Sequence, residues 1–133
     1  MSKVHGKGLV VLINSVDLST HSNNVEFTRT GDSHDVTTFG KNAHVKQGGL
    51  LDGTATISGI YDDTATGPRA VIEPLIGTVV PLVHRPEGTG VGKPMDTVSV
   101  LVTSYQETSA VADMIMWSAE VEFSDDVVTA DQV

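Results

Sequence analysis

One segment alternates strictly between two kinds of side chain, and this pattern restricts the fold more than any other feature of the sequence. Residues 54–61 place Ala55, Ile57, Gly59 and Tyr61 on one face, and Thr54, Thr56 and Ser58 on the other. A period of two predicts a β-strand with one buried face and one solvated face. The surrounding stretch, residues 36–62, contains no pattern that is typical of a catalytic centre.

Similar short apolar or alternating stretches recur along the chain and predict about seven strands. We expect them at residues 8–14, 24–30, 36–39, 54–61, 78–84, 97–105 and 114–123. The only credible helix covers residues 68–76, where Pro68 suits the first helical position and Gly77 ends the helix. One helix cannot supply several parallel crossovers, so the pattern predicts a mainly β protein. We expect an antiparallel β-sandwich or flattened barrel with one short flanking helix, covering residues 1–124, and an acidic C-terminal tail or arm at 125–133.

Glycine, proline and polar residues predict where the strands are interrupted. Residues 31–33 should end the second strand, and residues 41–47 favour one helical turn. The pair Gly48-Gly49 suggests a pivot in the link between strands, and Pro81 favours an edge position for its strand. A glycine-rich loop is expected at residues 85–94.

Composition excludes several classes of function. The chain has no cysteine, which excludes disulfides and thiolate chemistry. Its 133 residues contain no apolar run of about 20 residues, and the N-terminus lacks an apolar signal core, so no membrane association is expected. The formal net charge is −9, and the last forty residues carry eight acids and no base. An acidic end of this kind disfavours binding to a phosphate backbone and is compatible with a surface that repels nucleic acid.

No candidate catalytic, cofactor or metal site survives inspection of the motifs. The loop around Lys93 resembles a phosphate-binding loop, but Glu87 stands where its first glycine belongs and Pro94 replaces the hydroxyl residue. The five histidines lack the spacing of metal ligands, and Asp62-Asp63 offers only two carboxylates. His34 and Asp35 follow Ser33 directly, whereas triad members converge from separate segments. The sequence therefore predicts a protein without enzymatic activity and without a cofactor.

Taken together, several segments resemble the major tail tube proteins of long-tailed bacteriophages. The resemblance extends over nearly the whole chain. The matching segments are VDLS at 16–19, VEFT at 25–28, DVTTFG at 35–40, GLLDGTATISGIY at 49–61, LVTSY at 101–105, AD at 112–113 and the strand at 117–123. No single segment is specific, but their order and spacing together are.

The resemblance implies a structural virion protein that forms hexameric rings, which stack into a tube and conduct DNA through the lumen. Its partners would be further copies of itself, the tape measure, tail tip and terminator proteins, and viral DNA that passes without specific binding. The expected location is the virion tail, after assembly in the bacterial cytoplasm. A head–tail connector or capsid decoration protein remains an alternative, and a carbohydrate- or receptor-binding β-module is a third.

Two groups of residues become candidates for assembly under this resemblance. The candidates for the lumen or for contacts between subunits are Asp96, Glu107, Ser118, Glu120 and Glu122. The candidates for stacking between rings are His44, Lys46, Gly48, Gly49, Glu87, Gly88, Gly90, Gly92 and Lys93. Six copies would carry a formal charge of 6 × −9 = −54.

Overall fold

Eight antiparallel strands and one short helix make up most of the chain in the computed structural model, which describes residues 5–62 and 67–132. The strands are β1 (Val10–Ile13), β2 (Val16–Asp17), β3 (Ser22–Asp35), β4 (Lys46–Ile60), β5 (Val79–Arg85), β6 (Pro94–Thr108), β7 (Met116–Phe123) and β8 (Val128–Asp131). The helix α1 (Pro68–Ile72) precedes β5. The mainly β, antiparallel fold with one short helix is therefore confirmed.

The strands form one sheet in the order β2-β1-β5-β6-β7-β4-β3, and β8 also pairs with β6. Core side chains come from both halves of this sheet, from Val11 and Leu82 in one half to Ile57 and Trp117 in the other. The sheet therefore folds over itself around a single core and does not close into a barrel. Rings from the two halves meet directly: Phe27 of β3 stacks on His84 of β5 with centroids 4.6 Å apart.

The predicted alternation is confirmed in the strands that cover the core. In β4, Ala55 and Ile57 are buried, and in β7 Trp117 and Val121 are buried. The indole Nε1 of Trp117 donates a hydrogen bond of 3.1 Å to the carbonyl of His21, which satisfies its polar atom. Burial of these apolar side chains supplies the main driving force for folding.

Strand β6 departs from simple alternation after Val102, which is buried. A register shift between Val102 and Ser104 inserts one residue relative to β7. As a result, Tyr105 changes face and stacks near Trp117, with centroids 6.2 Å apart. Uninterrupted alternation along residues 97–105 would place Tyr105 on the face of Ser99 and Leu101, and the bulge moves it to the opposite face.

The region between β3 and β4 also differs from the prediction. Residues 31–33 do not end a strand, because β3 continues to Asp35 with a bulge between Gly31 and Ser33. Residues 36–39 are not a strand, residues 41–47 make no helical turn, and Gly48-Gly49 lie inside β4 instead of forming a pivot. Together β3 and β4 form a long hairpin, whose residues 28–52 are exposed. We call residues 31–51 the hairpin arm.

Pro81 lies in an interior strand, so the prediction of an edge strand is wrong. Strand β5 pairs with β6 on one side and with β1 on the other. The carbonyl of Pro81 accepts a hydrogen bond from the N–H of Asn14, which directly follows the end of β1. The backbone N–H and C=O of one residue in an antiparallel strand point to the same neighbouring strand. Pro81 therefore lacks its N–H on the side that faces β1, at a position where β1 has already ended.

The predicted helix is present but short. It covers Pro68–Ile72, and a 3₁₀ turn at Glu73–Leu75 continues it, as the Pro74 position leads one to expect. Ile72 is fully buried, and Gly77 adopts a positive φ of 84° after the turn. None of the helices within the described residues has the length and apolarity that a membrane crossing requires. The predictions for residues 1–4, for Asp63 and the loop at 64–66, and for Val133 fall outside those residues.

Candidate functional site

The face of β3, β4 and β7 that points away from the core is polar and acidic, except at the end where Ile60 pairs with Met116. It carries the carboxylates of Glu26, Asp52, Glu120 and Glu122, with hydroxyl side chains between them. The register pairs Glu120 with Thr56 and Glu122 with Thr54. Within residues 22–30, 52–60 and 116–122, the residues on this face include no lysine or arginine. We call this surface the acidic face.

The predicted lumen candidates divide between this face and other parts of the protein. Ser118, Glu120 and Glu122 lie together along β7 on the acidic face. Glu107 is opposite Trp117 in the pairing of β6 with β7, so it lies on the other face, 3.8 Å from Nη1 of Arg69. The pKa of the Tyr105 phenol is raised to about 12, mainly by burial and also by the nearby charge of Glu107.

Asp96 is buried, only 6% exposed, which excludes it from an open surface of this chain. Its carboxylate accepts hydrogen bonds from Nη2 of Arg29 at 2.6 Å and Oγ1 of Thr129 at 2.8 Å, and contacts Nδ1 of His84 at 3.3 Å. Burial raises the pKa of Asp96, but the bonds from Thr129 and His84 and the charge of Arg29 outweigh it. The pKa of Asp96 therefore lies below its usual value. Asp96 links four strands, β3, β5, β6 and β8, and has an internal structural role.

Two strand edges border the acidic face. Strand β3 ends the sheet order, so one of its edges has no neighbouring strand within the described chain. The pairing of β6 with β5 ends at Leu101, whereas its pairing with β7 continues to Thr108. Residues 103–108 of β6 therefore form the other edge of a four-stranded unit, ordered β6-β7-β4-β3. Open edges present unpaired N–H and C=O groups that pair readily with another chain.

The tip of the hairpin arm is held by its own polar groups. The carboxylate of Asp35 accepts hydrogen bonds from the backbone N–H and the hydroxyl of Thr37, at 3.0 and 2.5 Å, and lies 3.1 Å from Nδ1 of His44. The bond from the Thr37 hydroxyl makes the largest contribution to lowering the pKa of Asp35. Val45 donates its N–H to Oγ1 of Thr37 at 2.7 Å. The arm is therefore a formed hairpin rather than a loose link.

The predicted stacking residues of this region take different places along the arm. His44 is at the tip, and Lys46 begins β4 opposite Asp35. Gly48 has open space where a Cβ would stand, whereas a Cβ on Gly49 would meet the imidazole of His34 at 2.6 Å. Gly49 therefore belongs to the packing of the arm, and Gly48 faces solvent.

The second predicted stacking segment is the loop that joins β5 to β6, with Glu87, Gly88, Gly90, Gly92 and Lys93. It is tied to the C-terminal segment by Gln132, which donates Nε2 to the carbonyl of Gly88 at 2.8 Å and accepts from the N–H of Gly90 at 3.2 Å. The backbone of Gln132 also bonds to Gly92 and Lys93. Sequence patterns gave no signal for this clamp, because a single amide side chain makes it across 42 residues.

Residues 128–131 form β8 within the chain instead of a loose tail. They pair with residues 94–97 of β6, on the side that β7 occupies farther along β6. Sequence reasoning also missed Arg29 and Thr129, the partners of Asp96. The described residues include no group of three or more His, Asp or Glu that could hold a metal ion.

Comparison with solved structures identifies the architecture. A chain from the virion of a native gene transfer agent particle has a TM-score of 0.81 and 12% identity, over 96% of this chain and 99% of its own. A chain from the tail of an empty gene transfer agent particle, refined with C6 symmetry, has a TM-score of 0.74 and 13% identity, over 98% and 100%. The chain has the tail-tube fold.

A third solved structure supports the same assignment. The SPP1 tail tube protein matches with a TM-score of 0.77 and 10% identity, over 98% of this chain and 81% of its own. No family model matches the sequence, and no curated protein is similar to it in sequence. The tail-tube fold is therefore established by the arrangement of the backbone at very low identity.

Proposed function

We propose that this chain is the structural subunit of a phage-type tail tube, in which hexameric rings stack around a lumen that conducts DNA. The observation that carries the proposal is the four-stranded unit with two open edges, in a chain that shares its fold with tail and tail-tube proteins over nearly its whole length. The C6 symmetry of the gene transfer agent tail supports six copies per ring.

The directions of the strands allow the two edges to pair in a ring. Along the unit β6-β7-β4-β3 every neighbouring pair is antiparallel, so β6 and β3 run in opposite directions. Rotation about a ring axis preserves the direction of each strand. The β3 edge of one copy therefore meets residues 103–108 of the next copy in antiparallel orientation, and the ring closes without leaving an edge.

Six units of four strands give a barrel of 6 × 4 = 24 strands. With strands about 4.8 Å apart and tilted by up to about 45°, the backbone circle is roughly 37 to 52 Å across. This barrel is wider than a DNA duplex. Because the core and α1 lie on one side of each unit, the acidic face is the side that remains for the lumen.

The charge of the acidic face suits a channel for DNA. Six copies would present 6 × 4 = 24 carboxylates from Glu26, Asp52, Glu120 and Glu122. Phosphate groups are repelled by such a wall, so DNA would pass without being retained. The hairpin arm and the loop at residues 85–94 supply contacts between rings, and the tape measure, tail tip and terminator proteins are the further partners. The location is the virion tail, after assembly in the host cytoplasm.

Assembly of the purified protein tests the proposal. We expect hollow tubes of uniform width in electron micrographs, formed slowly alone and rapidly when a tail tip complex is added as initiator. A preparation that stays monomeric under crowding and with the initiator would contradict the proposal. Single rings that never lengthen would instead favour a head–tail connector, and antibody labelling confined to the capsid would favour a decoration protein.

A further inference from the structure

An open cleft lies where the hairpin arm leaves the body of the protein. It has a volume of about 300 Å³ and lies between Leu51 of the arm and the segment that joins β7 to β8. Its lining residues are Arg29, Thr30, Leu51, Asp52, Phe123, Asp125 and Val127. The Phe123 ring packs against Phe27, with centroids 4.9 Å apart, which gives the cleft a fixed aromatic wall. Leu51 is 77% exposed, so the apolar surface of the cleft is uncovered in the single chain.

Phe39 is the aromatic residue that the single chain leaves in solvent. The other five aromatic side chains are buried or half-buried, whereas Phe39 at the tip of the arm is fully exposed. Lys41, His44 and Lys46 stand near it, and residues 36–51 contain no acid. An exposed aromatic side chain with neighbouring cations is typical of an anchor at an interface.

The charges of the cleft complement those of the tip. Asp125 lines the cleft, and Asp126 follows directly. Arg29 is the one base in the lining, and its guanidinium is bound to the carboxylate of Asp96. At the tip, Lys41 and Lys46 outnumber the single acid, Asp35, which is held by Thr37 and His44. A tip with an excess of positive charge therefore meets an apolar cleft with acids at its rim.

Phe39 cannot fill the cleft of its own chain. Between Thr30, beside the cleft, and Asp35, where pairing ends, β3 advances by five residues, or about 17 Å of paired strand. The tip lies beyond Asp35 and points away from the body. The occupant must therefore come from another copy.

We propose that Phe39 of one copy inserts into the cleft of a neighbouring copy, between Leu51, Phe123 and Val127. This inference rests on the proposed self-assembly and adds the residue and the receiving site that lock copies together. The competing site is the exposed apolar end opposite the arm, with Ile60, Val111, Met114 and Ile115. That end of the protein also carries acids. Its apolar surface includes the loop between β6 and β7, where Val111 is fully exposed, so Val111 serves as the comparison position in the experiment below.

Disulfide trapping tests the contact directly, because the chain has no native cysteine. Phe39→Cys and Val127→Cys are made as separate full-length variants, one carrying an added tag that changes its mass. The two are mixed, assembled and oxidised, and the products are separated by mass under denaturing conditions. We expect a mixed dimer of tagged and untagged chains in assembled material and none in dilute monomer. Leu51→Cys replaces Val127→Cys as receiving position if the latter fails to fold, and Val111→Cys is the matched position at the competing site.

Each outcome decides the inference. Tubes in which the Phe39→Cys position cross-links to Val127→Cys or Leu51→Cys support it. Tubes in which it cross-links to Val111→Cys, or to none of these positions, overturn it and leave the proposed function intact. Failure of the unsubstituted protein to assemble at all overturns both.

Assembly thresholds give a second readout. Phe39→Ala should raise the protein concentration needed for assembly roughly tenfold or more, the scale of a lost interface anchor, whereas Phe39→Trp should stay near the value of the unsubstituted protein. Equal thresholds for Phe39→Ala and the unsubstituted protein would overturn the inference.

Discussion

Replacing the buried carboxylate of Asp96 with an amide should destabilise the folded subunit measurably. Asp96→Asn keeps the size of the side chain but removes its charge and one of its two acceptor oxygens. Arg29 and Thr129 both donate to its Oδ1, at 2.6 and 2.8 Å, and Nδ1 of His84 lies 3.3 Å from its Oδ2, so the substitution removes the charge that strengthens these contacts. The change affects the junction of β3, β5, β6 and β8 at once.

The size of the effect follows from these contacts. A hydrogen bond to a charged group contributes about 1.5–3 kcal/mol net, and two such bonds weaken here. The side chain of Arg29 is 48% exposed, so water can solvate its guanidinium after the substitution, which limits the loss. We expect the free energy of unfolding to fall by about 2–3 kcal/mol, or roughly 6–15 °C in melting temperature for a chain of this length.

Urea unfolding of the unassembled protein, followed by tryptophan fluorescence of Trp117, measures this change. Asp126→Asn is the matched control, since it removes the same charge from an exposed side chain. If Asp96→Asn and Asp126→Asn agreed within about 0.5 kcal/mol, the assignment of Asp96 as a structural junction would be refuted.

Three further predictions follow from the described contacts. The pKa of Asp96 is lowered in the folded state, so its stabilising contribution is complete above the unfolded pKa of about 3.9 and is lost as the pH falls through the folded pKa. The difference in the free energy of unfolding between the unsubstituted protein and Asp96→Asn should therefore shrink below about pH 4. A constant difference from pH 7 to pH 2 would contradict this. Gly59→Ala places a Cβ against the backbone of His21 and Ser22 and should cost roughly 2–4 kcal/mol in urea unfolding, whereas Gly48→Ala, whose Cβ meets nothing, should be close to neutral. Glu120→Lys combined with Glu122→Lys changes the formal charge of six copies from −54 to 6 × −5 = −30 and should make assembled tubes retain duplex DNA at low salt in a filter-binding assay. The control Asp17→Lys with Glu73→Lys has the same net charge and should not retain the duplex. Equal retention by both double variants would count against a lumenal acidic face.

The strands around the core could be predicted from the sequence because one of their faces is buried. In β4 and β7 the buried residues Ala55, Ile57, Trp117 and Val121 occupy every second position, which is the signal that burial imposes on a strand. The acidic face followed from the same pattern, since Glu120 and Glu122 occupy the alternate positions.

The hairpin arm could not be predicted in this way because both of its faces are solvated. Residues 31–51 show no regular alternation of apolar and polar side chains. The glycines at Gly31 and Gly48-Gly49 predict breaks, although both positions lie in paired strands. The hydrogen bonds of Thr37 with Asp35 and Val45 that order the tip depend on the pairing itself.

The other features that the sequence did not predict depend on contacts between residues far apart in the chain. The sequence makes Asp96 a candidate for the lumen or for a subunit contact, but its partners inside the chain are distant: Arg29 lies 67 residues before it and Thr129 lies 33 residues after it. The pairing of β8 and the clamp made by Gln132 have the same origin. Such contacts are specified by the fold and leave no periodic trace in the chain.

A cryo-electron microscopy map of the assembled protein tests the central claim most directly. The proposed arrangement predicts sixfold rings whose inner wall is a continuous barrel of 24 strands, with β3 of each copy paired to residues 103–108 of β6 in the next and with Glu120 and Glu122 facing the lumen. A map in which these two glutamates face the outside, or in which the β3 edge is left unpaired, would contradict it.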